Sequence, residues 1–255
     1  DARLARDGRT PADVARDAAA ALEAFLDANH ESVAALIVEP LVQGASGMVT
    51  YDASYLARAR ELCTHYGVHL IADEIMTGFG RTGTMFACEQ AGITPDLMLL
   101  SKGITGGFLP LACVLASDAI YEAFYDDDTA RGFLHSHSYT GNPLACSAAL
   151  AVLDIFRGDA VIEANRSRAA RWDSLAAPLA SHPNVRNFRR CGMIVAFEVG
   201  SGRADFARWC FAEGIARGIL LRPIGRTVYL MPPYVIADDE FALLVDRTRE
   251  IVELV

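Results

Sequence analysis

Lysine is all but missing from this chain. Of its 23 lysine and arginine residues only Lys102 is a lysine, so the other 22 are arginines. Arginine supplies positive charge but does not deprotonate to an amine nucleophile, which confines side-chain amine chemistry to one position. Closely spaced cysteines are missing too: the six (63, 88, 113, 146, 191 and 210) stand at least nineteen residues apart. That spacing excludes CxxC metal and redox motifs and fits free thiols in a reducing compartment. No apolar run reaches membrane-spanning length and no signal pattern opens the chain, so a soluble cytoplasmic protein without a membrane partner is expected. A net charge of −9 with no basic stripe argues against a nucleic-acid partner. The densest basic cluster, Arg186, Arg189 and Arg190, reads as a solvated face beside a strand.

What is present is ample for a large core. The chain has 255 residues, 52% of them hydrophobic and 22% charged, which gives one or two globular domains. Thr10-Pro11-Ala12-Asp13 is a capping-box pattern with proline at the first helical position, and predicts a helix to about Asn29 with Val14, Ala18, Leu22 and Phe25 on one face. ALIVEP predicts a buried strand over Ala34 to Glu39, followed by a glycine loop from Gln43 to Gly47. A helix from Ala53 to Tyr66 should stop at Gly67. Further strands are expected at Val68 to Glu74, Asp96 to Ser101 and Leu111 to Ser117.

Strands apolar on both faces and alternating with helices indicate an α/β protein with a mostly parallel sheet covered by helices. Ligands of such sheets gather beyond the carboxyl ends of the strands, where Glu39, Asp73 and Lys102 all fall. A helix from Pro143 to about Arg157 is broken by Gly158-Asp159. Beyond it come a helix to about Ser181, strands at Met193 to Val199, Ile219 to Arg222 and Val228 to Met231, and helices at Asp205 to Glu213 and Asp239 to Leu254. This mixture predicts a smaller α+β domain over 159–255 after a larger one over 1–158.

A lone lysine at the end of an apolar run, in DLMLLSKGITGG, is placed for a Schiff base with a carbonyl compound or with pyridoxal phosphate. The bland alternative is an arginine-rich codon bias that left one surface lysine. Asp73 lies 29 residues earlier, at the end of LIAD. A carboxylate there can keep a pyridinium nitrogen protonated, because opposite charge raises the pKa of a base. Alone, Asp73 reads equally well as a turn or helix-capping residue. His135 and His137 can be taken for metal ligands, but no third candidate adjoins them, so no metal is expected.

Around Asp73 and Lys102 the chain reads ADEIMTGFGRTG, then PD before the lysine strand, SKGITGG, and later GNPLAC. This long, well-spaced set resembles the signature of the class III, or omega-type, pyridoxal 5'-phosphate-dependent aminotransferases of fold type I. The resemblance implies that Lys102 forms the cofactor's imine and shuttles the proton. It places Asp73 at the ring nitrogen, Ile75 on the ring face and Gln43 near the phenolic oxygen. HSHSYTGNP matches a segment that reaches the partner's cofactor phosphate in a homodimer, which implies His137 and Ser138 at the phosphate and Ser136 by the substrate. Many relatives carry Gly-Pro-Thr or Gly-Ser-Thr where this chain has Ser-His-Ser.

Within the class, EPLVQGASGM and LRPIGRTVYLMPPYVI resemble the adenosylmethionine-8-amino-7-oxononanoate (diaminopelargonic acid) aminotransferases of biotin synthesis. That implies S-adenosylmethionine as amino donor and Arg222 as the grip on a substrate carboxylate, a role suited to its planar fork. The alternatives are an omega-amino acid or diamine:pyruvate aminotransferase and, in another class, a non-catalytic dimerisation or interaction fragment. The family's N-terminal phosphate turn, stacking aromatic and pocket residues have no counterpart here. The chain is therefore expected to be the C-terminal portion of a longer enzyme, and the activity of the 255 residues by themselves stays open.

Overall fold

A computed structural model describes residues 1–6, 8–136 and 138–255. The capping box forms as expected: the Thr10 hydroxyl accepts the Asp13 N–H at 3.2 Å and the Asp13 carboxylate accepts the Thr10 N–H at 2.8 Å. The helix it starts, α1 (Pro11–Asn29), buries Val14, Ala15, Ala19 and Leu26. Ala18 and Phe25, expected on that face, are exposed. The buried stripe is turned because α1 packs against a second helix, which selects the positions adjoining that neighbour.

β1 (Ala35–Val38) leads into a two-residue hairpin, β2 (Val42–Gln43) against β3 (Val49–Thr50), around the glycine loop. α2 (Ala53–Tyr66) starts at Asp52, whose carboxylate accepts the Ser54 N–H, and ends at Gly67 with φ 68°. Next come β4 (His69–Asp73), β5 (Leu97–Leu100) and β6 (Cys113–Ala116). The sheet order is β1-β4-β5-β6, with β1, β4 and β5 parallel. β6 returns antiparallel to β5. Its connection holds only a 3-10 turn, Lys102–Thr105, whereas a parallel return needs a longer crossover.

Leu26, Leu62, Cys63, Val68 and Leu70 form the core between the two helices and β4. After the short α3 (Asp118–Glu122), α4 (Pro143–Gly158) brings Ala149 against Phe79, Leu100 and Ile104, beside the lysine turn.

α5 (Val161–Ala180), β7 (Val185–Cys191), β8 (Ile194–Val199), α6 (Phe206–Ala216), β9 (Thr227–Leu230) and α7 (Asp238–Glu253) complete the chain. β7-β8-β9 is an antiparallel sheet over a core that includes Trp172, Met193, Phe197 and Phe241, with the Trp172 and Phe241 rings stacked 3.8 Å apart. The strand expected over Ile219 to Arg222 does not form. Ile219 instead donates its N–H to the Gly214 carbonyl at the end of α6, and Leu221 is drawn into the core.

β7 is a strand where the sequence suggests only a polar connection. Its arginines are not simply a solvated face. The Arg189 side chain, 9% exposed, pairs with Glu198 at 2.8 Å and donates to the carbonyls of Gly47 and Met48, each at 2.7 Å. Burial holds this guanidinium below its ordinary pKa. Arg190 pairs with Asp173. The antiparallel sheet meets the β2-β3 hairpin through Ile194 and Ala196, which pack on Leu41, Val42 and Met48. The Met193 N–H also donates to the Arg81 carbonyl at 2.9 Å.

Candidate active site

Parallel register sets the frame of the site. Asp73, the last residue of β4, is paired with Leu99 of β5, and Lys102 lies three residues further along that neighbouring chain. Two residues 29 apart in sequence thereby reach adjacent carboxyl ends of one sheet, where open α/β sheets bind ligands. Asp73 is half-buried, and its Oδ1 accepts the Ile75 N–H at 3.1 Å. Its other oxygen has no hydrogen-bond partner among the described residues.

A cleft of about 460 Å³ runs from this carboxylate along β1, walled among others by Glu39, Gln43, Tyr51 and Tyr55. Gln43 is held there from its base. The Glu39 carboxylate accepts the Gly44 N–H at 2.9 Å, and the Tyr51 hydroxyl donates to the Glu39 carbonyl at 2.7 Å. Burial pushes the Tyr51 phenol well above its ordinary pKa, so it stays a donor.

Lys102 is exposed and opens its 3-10 turn with φ 44°, a left-handed backbone that costs a non-glycine residue about 1–2 kcal/mol. Its amine has no hydrogen-bond or ionic partner among the described residues. Lys102 is not in the wall of the Asp73 cleft; it flanks it from the next strand end. Ile75 is half-buried just past Asp73.

Arg222 is exposed in the coil between α6 and β9, without a polar partner among the described residues. The start of β9 abuts the loop after Gln43: a Cβ on Gly47 would lie 3.0 Å from the Thr227 hydroxyl. Ser136 and Ser138 lie exposed in the segment before α4, away from the cleft. His137 lies outside the described residues. The structure thus brings Asp73 and Gln43 into one cleft, with Ile75 two residues past Asp73 and Lys102 just beyond the adjacent strand. It does not bring Arg222, Ser136 or Ser138 into that cleft. No group of three His, Cys, Asp or Glu able to hold a metal occurs among the described residues.

Two supports were not legible as such in the sequence. Glu74 is fully buried directly behind Asp73, where it accepts the Thr77 hydroxyl at 2.6 Å and the Cys88 N–H at 2.8 Å. Burial and the nearby Glu74 charge push the Cys88 thiol far above its ordinary range. The second support links the sheets. The Tyr234 hydroxyl donates to the Phe79 carbonyl at 2.7 Å, and Arg81 donates to the Pro232 carbonyl at 2.8 Å with its guanidinium 4.4 Å above the Tyr234 ring. Arg81 has no carboxylate partner among the described residues, and burial lowers its pKa. The GFGR and PPY patterns announced both segments, but nothing in the spacing said that they meet.

The family model for "Aminotransferase class-III" matches residues 5–252. The chain belongs to the class-III aminotransferases. An adenosylmethionine-8-amino-7-oxononanoate aminotransferase of Helicobacter pylori is 44% identical over 239 residues, 91% of this chain and 55% of that protein. One so named from Nitratidesulfovibrio vulgaris is 44% identical over 232 residues, covering 86% of this chain and 42% of its own length. The chain thus spans about half the length of these curated relatives. A crystal structure of the Methanocaldococcus jannaschii protein of the same name aligns with a TM-score of 0.87 at 33% identity, over 92% of this chain and 57% of that one. An omega transaminase of Pseudomonas jessenii in complex with PMP aligns with a TM-score of 0.90 at 29% identity, over 98% and 58%.

Proposed function

We propose that the full-length protein is a pyridoxal 5'-phosphate-dependent aminotransferase that converts 7-keto-8-aminopelargonate to 7,8-diaminopelargonate, with S-adenosylmethionine as amino donor. The observation that carries this reading is the free carboxylate oxygen of Asp73 on the strand end next to an unpartnered lysine amine. These groups fit the cofactor's needs: one anion for its ring nitrogen and one amine for its aldehyde. When bound, the cofactor supplies an electron sink at the carbon that carries the amino group. Asp73 keeps the ring nitrogen protonated through its opposite charge. Lys102 would hold the cofactor through its amine and would move the proton at that carbon.

Ile75 would pack on the ring face and Gln43 would lie near the phenolic oxygen. Ser138 and His137 would reach the phosphate in the partner protomer's site, and Ser136 would border the substrate. Arg222 grips the substrate carboxylate with its planar fork. The subfamily follows the names of the relatives at 44% identity.

The protein works as a homodimer. Support comes from the apolar side chains left exposed between residues 108 and 150, among them Phe108 at 87%, Leu134 at 84% and Leu144 at 70%. The break at Gly158-Asp159 divides a larger cofactor domain, 1–158, from a smaller one, 159–255. No helix among the described residues is long and apolar enough to cross a membrane, and a cytoplasmic location accords with that.

The test is to incubate the full-length protein with S-adenosylmethionine and 7-keto-8-aminopelargonate and identify the aminated product by mass spectrometry. The omega-amino acid reading draws on the structural likeness to the Pseudomonas jessenii enzyme. Product from 7-keto-8-aminopelargonate supports the proposal. Amination of pyruvate from omega-amines, with none of 7-keto-8-aminopelargonate, overturns the substrate assignment.

A further inference from the structure

Lys102 opens its 3-10 turn with a left-handed backbone, φ 44°. Its neighbour Gly103 is pressed against Phe79: a Cβ on Gly103 would come within 2.9 Å of the Phe79 Cβ and Cδ2. Phe79 is itself left-handed, at φ 55°, and fully enclosed between Gly78 and Gly80. Two left-handed non-glycine residues, Phe79 and the residue that precedes its contact Gly103, persist only where the surroundings over-determine them.

The restraint comes from the other sheet. The Tyr234 hydroxyl holds the Phe79 carbonyl at 2.7 Å, and Tyr234 is in turn covered by Arg81, which is tied to the Pro232 carbonyl. Burial raises the Tyr234 phenol above its ordinary pKa, so the hydroxyl remains a donor. A continuous line of contacts therefore runs from the segment after β9 through Phe79 and Gly103 to the lysine.

We infer that Tyr234 is a positioning residue for Lys102: it fixes the lysine turn through the Phe79 carbonyl and couples the aim of the amine to the seating of the second sheet. This rests on the reading of Lys102 as the cofactor-bearing lysine. A misplacement on the order of 1 Å far from the chemistry can slow a reaction about 100-fold. Removing one hydroxyl while keeping its ring should cost less.

The experiment uses the full-length protein freed of cofactor. Pyridoxal phosphate is added, the rate of its capture is followed by absorbance, and the product is fixed with borohydride and mapped by mass spectrometry. Tyr234→Phe is compared with Thr248→Val, which removes a buried hydroxyl bonded to the Leu244 carbonyl at 2.7 Å, remote from the turn. Tyr234→Phe is expected to slow capture at Lys102 about tenfold and to lower kcat with KM nearly unchanged. Thr248→Val is expected to lose similar thermal stability yet capture at the unmodified rate. Unchanged capture in Tyr234→Phe, or equal slowing in both variants, overturns the inference. Failure of the unmodified protein to form any Lys102 adduct refutes the underlying reading first, and this inference with it.

Discussion

Gly192, in the β7-β8 turn, is pressed against the Arg81-Thr82 backbone, and replacing it tests how that contact seats the site. It has φ 55°, and a Cβ there would lie 2.4 Å from the Thr82 carbonyl carbon and 2.5 Å from the Arg81 oxygen. Three costs follow for Gly192→Ala. A left-handed alanine costs about 1–2 kcal/mol. Backbone atoms cannot swing aside as a flexible side chain would, so overpacking adds about 1–3 kcal/mol. Displacing the hairpin loosens the Met193 N–H to Arg81 bond, worth about 1 kcal/mol. Together these reach about 3–6 kcal/mol, a severe effect for one methyl group. Gly67 is the control: it is also left-handed, at φ 68°, but nothing lies within 4 Å of its would-be Cβ. Gly67→Ala should cost only the backbone part, about 1–2 kcal/mol. Thermal denaturation of both variants of the full-length protein measures the difference. If the two lose the same stability, the close approach of β7-β8 to the Arg81-Thr82 turn is not what the structure shows.

Other consequences are as direct. Asp73→Asn removes the charge but keeps the acceptor for the Ile75 N–H, so the Tm should barely move while kcat falls about 100-fold or more, the scale of losing one preorganised electrostatic contact. Burial pushes Cys191 and Cys210 up to about 11 and Cys88 higher still, so at pH 8 a thiol reagent should spare all three until the protein is unfolded. Peptide mapping reads that out, and rapid labelling of Cys88 in the native protein would contradict its place behind Glu74. Asp13 is held down to about 2, mainly by the Thr10 backbone N–H and hydroxyl. Because its folded pKa lies below the unfolded value, its contribution is present above pH 4 and is lost as pH falls towards 2. An NMR titration of the Asp13 carboxyl with the α1 N-terminal amides should show that cap loosening over that window.

Much of the architecture was legible because local signals agreed. The Thr10 box, Gly67 and the Gly158-Asp159 break are backbone chemistry that packing had no reason to override. The position of the candidate site was legible for a different reason: one lysine and one strand-end aspartate stood out by residue type, and parallel pairing places them at neighbouring ends.

What failed depended on neighbours distant in sequence. The face of α1 was misplaced because α2 chose it. β7 was missed because its arginines look like a surface, while Arg189 in fact satisfies carbonyls of the Gly47 loop 142 residues away. The segment Ile219 to Arg222 has strand-like composition, but its backbone closes the end of α6 instead. The Tyr234 to Phe79 bond spans 155 residues, and no local pattern encodes such a pairing.

The central claim is that Lys102 is the residue that holds the cofactor, and its chemistry allows a clean test. With a single lysine in these 255 residues, the full-length protein is incubated with pyridoxal phosphate, reduced with borohydride, digested and mapped by mass spectrometry. A pyridoxyl group is expected on the peptide that carries Ser101-Lys102-Gly103, lost in Lys102→Arg, whose guanidinium keeps the charge but not the nucleophile. A protein that binds the cofactor with Lys102 unmodified, or that is modified equally in Lys102→Arg, would contradict it.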